Sequence, residues 1–235
     1  MKIEDGLHAA NLKKMYVASV VWAAALILAV FSAVVFLASV VLAAWIPAAV
    51  FFALFLAAAA VMLFLHLFFR RRASYGVRRL DCQSGSPERL IALCAAKQYS
   101  DDLYEGKTQR NGICFTVRIF RTAQFRENSF QELRAKARGV LPEHEKVIGL
   151  FTGGRYAKVH FIVCDRVSAD ALGRIAGNTK KNLNRTEMLF YAVLSLEDEA
   201  LYLPEIFDGL EYLQVKRYAA FCDLAAEFCR PAASP

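Results

Sequence analysis

Met15–Phe69 reads MYVASVVWAAALILAVFSAVVFLASVVLAAWIPAAVFFALFLAAAAVMLFLHLFF, 55 positions without a Lys, Arg, Asp, Glu or Gly. A bilayer's hydrocarbon core is about 30 Å thick, and about 20 apolar residues cross it as a helix. At about 1.5 Å per residue, the whole run would make a rod of roughly 82 Å. That is too long for one crossing and suits two. Trp45-Ile46-Pro47 marks the expected break. Pro47 lacks a backbone N–H and clashes with the preceding turn, so it ends or restarts a helix. Trp45 is the amphipathic kind of ring found at membrane–water interfaces. The expected spans are Tyr16–Ala44 and Ala48–Phe69, within a hairpin over 15–72 that follows a short segment over 1–14.

The charges set an orientation. Lys13 and Lys14 precede the first span, and Arg70, Arg71 and Arg72 follow the second, while the turn carries no charge. Basic residues at span ends stay on the cytoplasmic side. The chain is therefore expected in the inner (cell) membrane with both termini cytoplasmic. A signal peptide is the competing reading of the first span, but its apolar region runs to only about 7–15 residues. Two alanine ladders, Ala25-Ala29-Ala33 and Ala49-Ala53-Ala57, have the small-residue spacing that lets helices pack closely. They are candidates for the hairpin seam or an oligomer seam. His66 is the one titratable side chain in the run, a turn from the arginines. A proton pathway would need more than one such group.

The rest of the chain has the length of one ordinary domain. From Ala73 onward it carries 23 basic and 20 acidic residues, so its net charge is only +3 of the chain's +7. The basic excess belongs mostly to the membrane flanks, where it matches topology and anionic lipid better than nucleic acid. Nucleic acid is not expected as a partner. Cys82, Cys94, Cys114, Cys164, Cys222 and Cys229 form no C-x-x-C and no zinc-type spacing with histidine. Reduced, mostly buried thiols are expected, with no metal and no cofactor.

Within the domain over 86–235, a linker over 73–85 leads to Ser86-Pro87-Glu88. That is an N-cap, a first-turn proline and a first-turn acid, opening a helix to about Gln98. Asp101–Gly112 reads as polar loop. Ile113–Ile119 alternates as a strand. Ser129-Phe130-Gln131-Glu132 fits a capping box, and the helix it opens should stop at Gly139. Val147–Phe151 and Tyr156–Cys164 flank Gly153-Gly154 as a hairpin would. Ser168 caps a helix to about Leu183. Met188–Leu196 and Ala200–Leu203 are strands across Glu197-Asp198-Glu199. Asp208 starts a last helix with Leu210, Leu213, Phe221, Leu224 and Phe228 as its apolar stripe, interrupted by Arg217.

The expected fold is α+β: a two-helix transmembrane hairpin, then a cytoplasmic domain with a mixed or antiparallel sheet covered by helices. From Ser129 onward the order α-β-β-α-β-β-α loosely resembles small dimerising domains of the roadblock and longin type. That resemblance is one of element order and implies nothing about function.

No phosphate-binding loop, G-x-G-x-x-G, H-E-x-x-H or G-x-S-x-G occurs. A metal-dependent phosphodiesterase would need Asp165, Lys158 and the acids Glu197 and Glu199 to converge at strand ends. His144 falls in a polar turn. His160 points away from the face of Val159 and Phe161, and Cys164 lies about 13 Å along the same strand. Arg174, Lys180, Lys181 and Arg185 cluster near a helix end as a candidate anion or lipid contact, although cations there also satisfy a helix C-terminus. With no catalytic constellation, the leading expectation is a membrane-anchored interaction or regulatory domain. Its partners would be the lipid bilayer together with a second copy or another protein. A tethered phosphodiesterase and an anionic-ligand sensor are the alternatives.

Overall fold

The computed structural model describes residues 2–83, 85–126, 156–183, 188–208 and 212–230. The chain divides into two compact units: residues 1–74 with 207–215, and residues 75–206 with 216–235.

The first unit is built on two long helices, α1 (Lys2–Val41) and α2 (Trp45–Arg72). Both are long and apolar enough to cross a membrane. The break falls at Leu42–Ala44, where Ala43 adopts φ 55°. Pro47 therefore sits in the first turn of α2 and not at the break. That position suits it, because the first N–H groups of a helix have no intrahelical acceptor. α1 also reaches almost to the N-terminus, well before Tyr16.

The helices meet along a heptad seam. On α2 the covered or half-covered positions include Ala48, Phe51, Phe55, Ala58, Met62, Leu65 and Phe69, at alternating steps of three and four. On α1 they include Met15, Ala18, Ala25, Ala29, Ser32, Phe36 and Ser39. This is the 3.5-residue period of coiled-coil packing. Phe31–Phe51 and Phe36–Phe52 ring contacts, with centroids 6.1 and 5.4 Å apart, lie along it. The Ala25-Ala29 ladder falls on the seam, with Ala33 half-buried. Ala49, Ala53 and Ala57 are exposed. The second ladder thus misses the hairpin seam, because its residues sit one or two positions away from the seam residues Ala48, Phe51, Phe55 and Ala58.

The second unit is a mixed sheet of order β1-β7-β6-β5-β4-β3-β2 with helices on its faces. Its strands are β1 (Ser74–Asp81), β2 (Lys97–Ser100), β3 (Leu103–Arg110), β4 (Ile113–Phe125), β5 (Tyr156–Val167), β6 (Leu189–Ser195) and β7 (Ala200–Phe207). The helices are α3 (Pro87–Leu93), α4 (Ala169–Leu183) and α5 (Tyr212–Cys229). β2, β3 and β4 form an antiparallel meander. β4, β5 and β6 are parallel, and β6–β7 is a hairpin.

Three strands lie where the sequence suggests no strand. β1 occupies most of the expected linker over 73–85, β3 occupies most of the expected loop Asp101–Gly112, and β2 takes the end of the expected helix and the two residues after it. All three are largely polar, and β2 is exposed at all four positions, so they lack the apolar alternation that marks a strand. The expected helix to Gln98 stops at Leu93, because Ala95 turns to φ 45°. Its start is as expected: Ser86 accepts the Arg89 N–H at 3.2 Å. Ser168 likewise accepts the Ala171 N–H at 3.2 Å to open α4. Both hydrogen-bonding edges of β5 are occupied, by β4 and β6. Val147–Phe151, the Gly153-Gly154 turn and the Ser129 capping box lie outside the described residues, as do Leu210 and His144.

At their centres the parallel strands are buried on both faces, as expected for strands covered on both sides. On one face Phe161 meets Phe228 of α5, with centroids 6.5 Å apart, and Phe190 stacks on Phe221 at 4.5 Å. Leu213, expected in the α5 stripe, is exposed, and Arg217 is buried. On the other face Phe120, Ile162 and Val193 pack against Ala171 and Ile175 of α4.

Candidate functional site

Strand register builds the first cluster. Glu105 lies opposite Arg118, Arg118 opposite His160, and His160 opposite Tyr191. Facing residues on paired strands project to the same side. The four therefore form one polar row across β3, β4, β5 and β6, on the face that carries α4. Arg118 Nε donates to Glu105 Oε2 at 3.0 Å, and the Arg118 side chain is only 5% exposed. The His160 ring stands edge-on between Phe120 and Tyr191, at 5.3 and 5.5 Å.

One row along lies the apolar set Leu103, Phe120, Ile162, Val193 and Tyr202. The row on the opposite side holds Lys107, Thr116, Lys158 and Leu189. The polar row thus marks the border of the packed core. Glu105 answers the Arg118 charge, and aromatic rings hold the imidazole. The thiol on the same side of β5 is Cys164, about 13 Å from His160 along the strand. Burial, reinforced by the Asp165 and Asp198 charges, pushes that thiol up to about 12. A neutral, buried thiol at that distance is no partner for a histidine base.

The carboxylates expected at strand ends are placed as follows. Asp165 is exposed near the end of β5, and Lys158 is seven residues back on the same strand, roughly 23 Å away. The two also alternate to opposite faces. Glu197 pairs with Arg166, whose Nη2 donates to Glu197 Oε1 at 2.8 Å. Glu199 takes φ 46° in the β6–β7 turn. Asp198, between them, organises that turn. It accepts the Ser195 hydroxyl at 2.7 Å and the Tyr202 hydroxyl at 3.1 Å. The structure brings Asp165 beside the turn, since Glu197 N donates to Asp165 O at 3.1 Å, but it does not bring Lys158 there. Among the described residues no three His, Cys, Asp or Glu side chains group as a metal site.

Of the basic cluster, Arg174 is exposed on α4. Lys180 and Lys181 lie in the last turns of α4, where only the backbone is described, and Arg185 lies outside the described residues. Asn178 Nδ2 donates to Arg174 O at 3.0 Å.

The second cluster has no signature in sequence, since Cys82 and Cys229 lie far apart along the chain. Cys82 follows β1, and its N–H donates to Glu199 O at 2.7 Å. Cys229 ends α5. Arg89 joins the two regions: its Nη2 donates to Glu227 O at 3.4 Å and also to Arg230 O. It thereby caps the α5 C-terminus, where cations are favoured. Arg89 Nη1 is buried with no hydrogen-bond partner among the described residues. The Cys82 and Cys229 thiols act on one another's titration through a side-chain hydrogen bond. That bond, with the Arg89 charge against the opposing effect of burial, draws Cys82 below its ordinary value. The same bond and burial raise Cys229. Cys94 and Cys222 are pushed up to about 12 by burial.

No protein-family model matches the chain, and neither the curated proteins nor the solved structures contain a match.

Proposed function

We propose that the chain is a two-span anchor in the inner membrane, with both ends cytoplasmic, holding an α+β binding or regulatory module at the bilayer surface. The observation that carries this is where apolar surface is left uncovered. Ile27 is 70% exposed and Phe64 66%, with Phe31, Val34 and Leu63 near 60%. The strands of the second unit bury Val159, Phe161, Phe190 and Leu201 completely. Helices that are core elements of a water-soluble fold cover such faces, whereas lipid covers them at no cost. The uncharged stretches of α1 and α2 each exceed the roughly 30 Å of a bilayer core, which tilt accommodates. Arg72 stacks over Phe68 at 4.5 Å at the basic end of α2. Trp45 is exposed beside the uncharged turn.

For the second unit the geometry favours binding over catalysis. In the polar row Glu105 answers the Arg118 charge, and Lys158 stands far from the acids at the strand ends. A second copy of the chain or another protein is the proposed partner class.

Cross-linking the full chain in isolated membranes, followed by mass determination, tests the module. A discrete dimer or a stoichiometric adduct is expected. A chain that is strictly monomeric and unadducted after cross-linking would contradict the reading. Release by alkaline carbonate would contradict the anchor.

A further inference from the structure

We infer that the basic end of the helical hairpin is a collar for anionic phospholipid headgroups, formed by Lys13, Lys14, Arg70, Arg71 and Arg72; the inference rests on the two-span anchor proposed above.

Both helices contribute to the collar. The ring contacts Phe31–Phe51 and Phe36–Phe52 make α1 and α2 antiparallel neighbours, in which residues about equally far from the turn face each other. Lys14 and Arg72 are equally far in sequence from Ala43, in the middle of the turn, so the basic groups of the two helices stand level. Met15 and Phe69 beside them are buried on the seam, whereas all five cations are exposed. Successive helical residues are turned by about 100°. Arg70, Arg71 and Arg72 therefore fan around α2, and Lys13 and Lys14 diverge on α1.

These charges are not answered from within. The chain has no Asp or Glu from Gly6 to Leu80. No described carboxylate pairs with any of the five. The C-terminus of α2 favours Arg70–Arg72, but Lys13 and Lys14 lie inside α1, well away from either end. Arg72 also marks a depth. Its guanidinium carbon is 4.5 Å from the centroid of the Phe68 ring, folded back one turn toward the apolar run. A guanidinium at the edge of hydrocarbon needs an anionic acceptor, and its planar fork matches phosphate oxygens. In the two-span arrangement, lipid phosphate is the anion at that depth. Five positive charges without an internal carboxylate select headgroups whose net charge is negative.

The test uses the full chain with Trp45→Phe, which leaves Trp22 as the reporter. Trp22 is partly exposed and about 12 Å along α1 from Lys14. The purified chain is reconstituted into vesicles of phosphatidylcholine with a minor fraction of phosphatidylglycerol. Bromine, which quenches tryptophan, is carried on the acyl chains of the phosphatidylglycerol or of an equal amount of the phosphatidylcholine. The expected result is stronger quenching by the brominated phosphatidylglycerol, equivalent to a severalfold enrichment around the hairpin. The enrichment should vanish in molar salt, which screens the charges. It should also vanish when Lys13→Gln, Lys14→Gln, Arg70→Gln, Arg71→Gln and Arg72→Gln are combined. Equal quenching by the two lipids would overturn the collar and leave the anchor standing. Enrichment that survives molar salt or the combined substitutions would also overturn the collar. Absence of quenching by either lipid would remove the anchor and the collar with it.

Discussion

Glu105 and Arg118 face each other across β3 and β4 in a 3.0 Å charge-assisted hydrogen bond, at the head of a row that continues through His160 to Tyr191. Breaking one half of such a pair leaves a buried charge unanswered. Glu105→Ala is therefore expected to cost about 3 kcal/mol. The double variant Glu105→Leu with Arg118→Met should recover most of that loss, because an apolar pair removes the desolvation penalty. Urea unfolding of the full chain in micelles, followed by far-UV circular dichroism, checks this. A single variant as stable as the parent would show that the guanidinium reaches water.

Gly106 and Gly173 should respond in opposite directions to the same substitution. A Cβ at Gly106 would stand 2.3 Å from Cys94 O and 2.7 Å from Ala96 Cα. Both are backbone atoms, which cannot swing aside. Gly106→Ala is expected to destabilise by about 3 kcal/mol or more. Gly173 is inside α4, and its Cβ would meet nothing within 4 Å. Gly173→Ala is expected to stabilise by roughly 0.5–1 kcal/mol. Denaturation midpoints of the two variants separate these outcomes.

The hairpin seam predicts a contrast between two alanines of α2. Ala58 is buried on the seam and Ala53 is exposed. Ala58→Leu should overpack the seam and cost about 1–3 kcal/mol, whereas Ala53→Leu should leave the hairpin unchanged. The chain has two tryptophans, Trp22 and Trp45, both in this unit. Their fluorescence during titration with a denaturing detergent reports the hairpin directly. A change of oligomer size in Ala53→Leu alone would assign the exposed ladder to contact between copies.

Stability should fall in alkali. The folded chain holds the Cys94, Cys164 and Cys222 thiols up at about 12, against an ordinary 9.0. The raised values mean that the folded state keeps protons which the unfolded chain has released. The stabilisation is therefore intact below about pH 9 and is lost between about 9 and about 12. Each thiol contributes about 1.4 kcal/mol per pH unit within that window. Tyr218, raised by its burial, acts in the same direction. The urea midpoint should drop from pH 8 to pH 10.5, and less steeply in Cys222→Ala. A flat midpoint would contradict the burial of these thiols.

The legible parts of the fold are those whose signal is local. Composition alone marks the two long helices, and single side chains mark Ser86 and Ser168 as helix caps. Continuous apolar runs mark β5 and β6. The break at Leu42–Ala44 was less legible, because a proline is as content inside a first helical turn as at a helix end. β1, β2 and β3 were hidden because their pairing partners, and not their own side chains, make them strands. The polar row was hidden with them: His160 could be placed on a face of β5, but Glu105 meets Arg118 only once β3 exists. The Cys82–Cys229 contact depends on tertiary folding alone, and no spacing rule reaches it.

The central claim is the oriented two-span anchor. Its most direct measurement is a pair of reporter fusions in a bacterial host, one after Ala44 in the hairpin turn and one after Pro235. The account predicts active alkaline phosphatase and dark green fluorescent protein at Ala44, with the reverse at Pro235. Cytoplasmic reporter activity at both positions would contradict it.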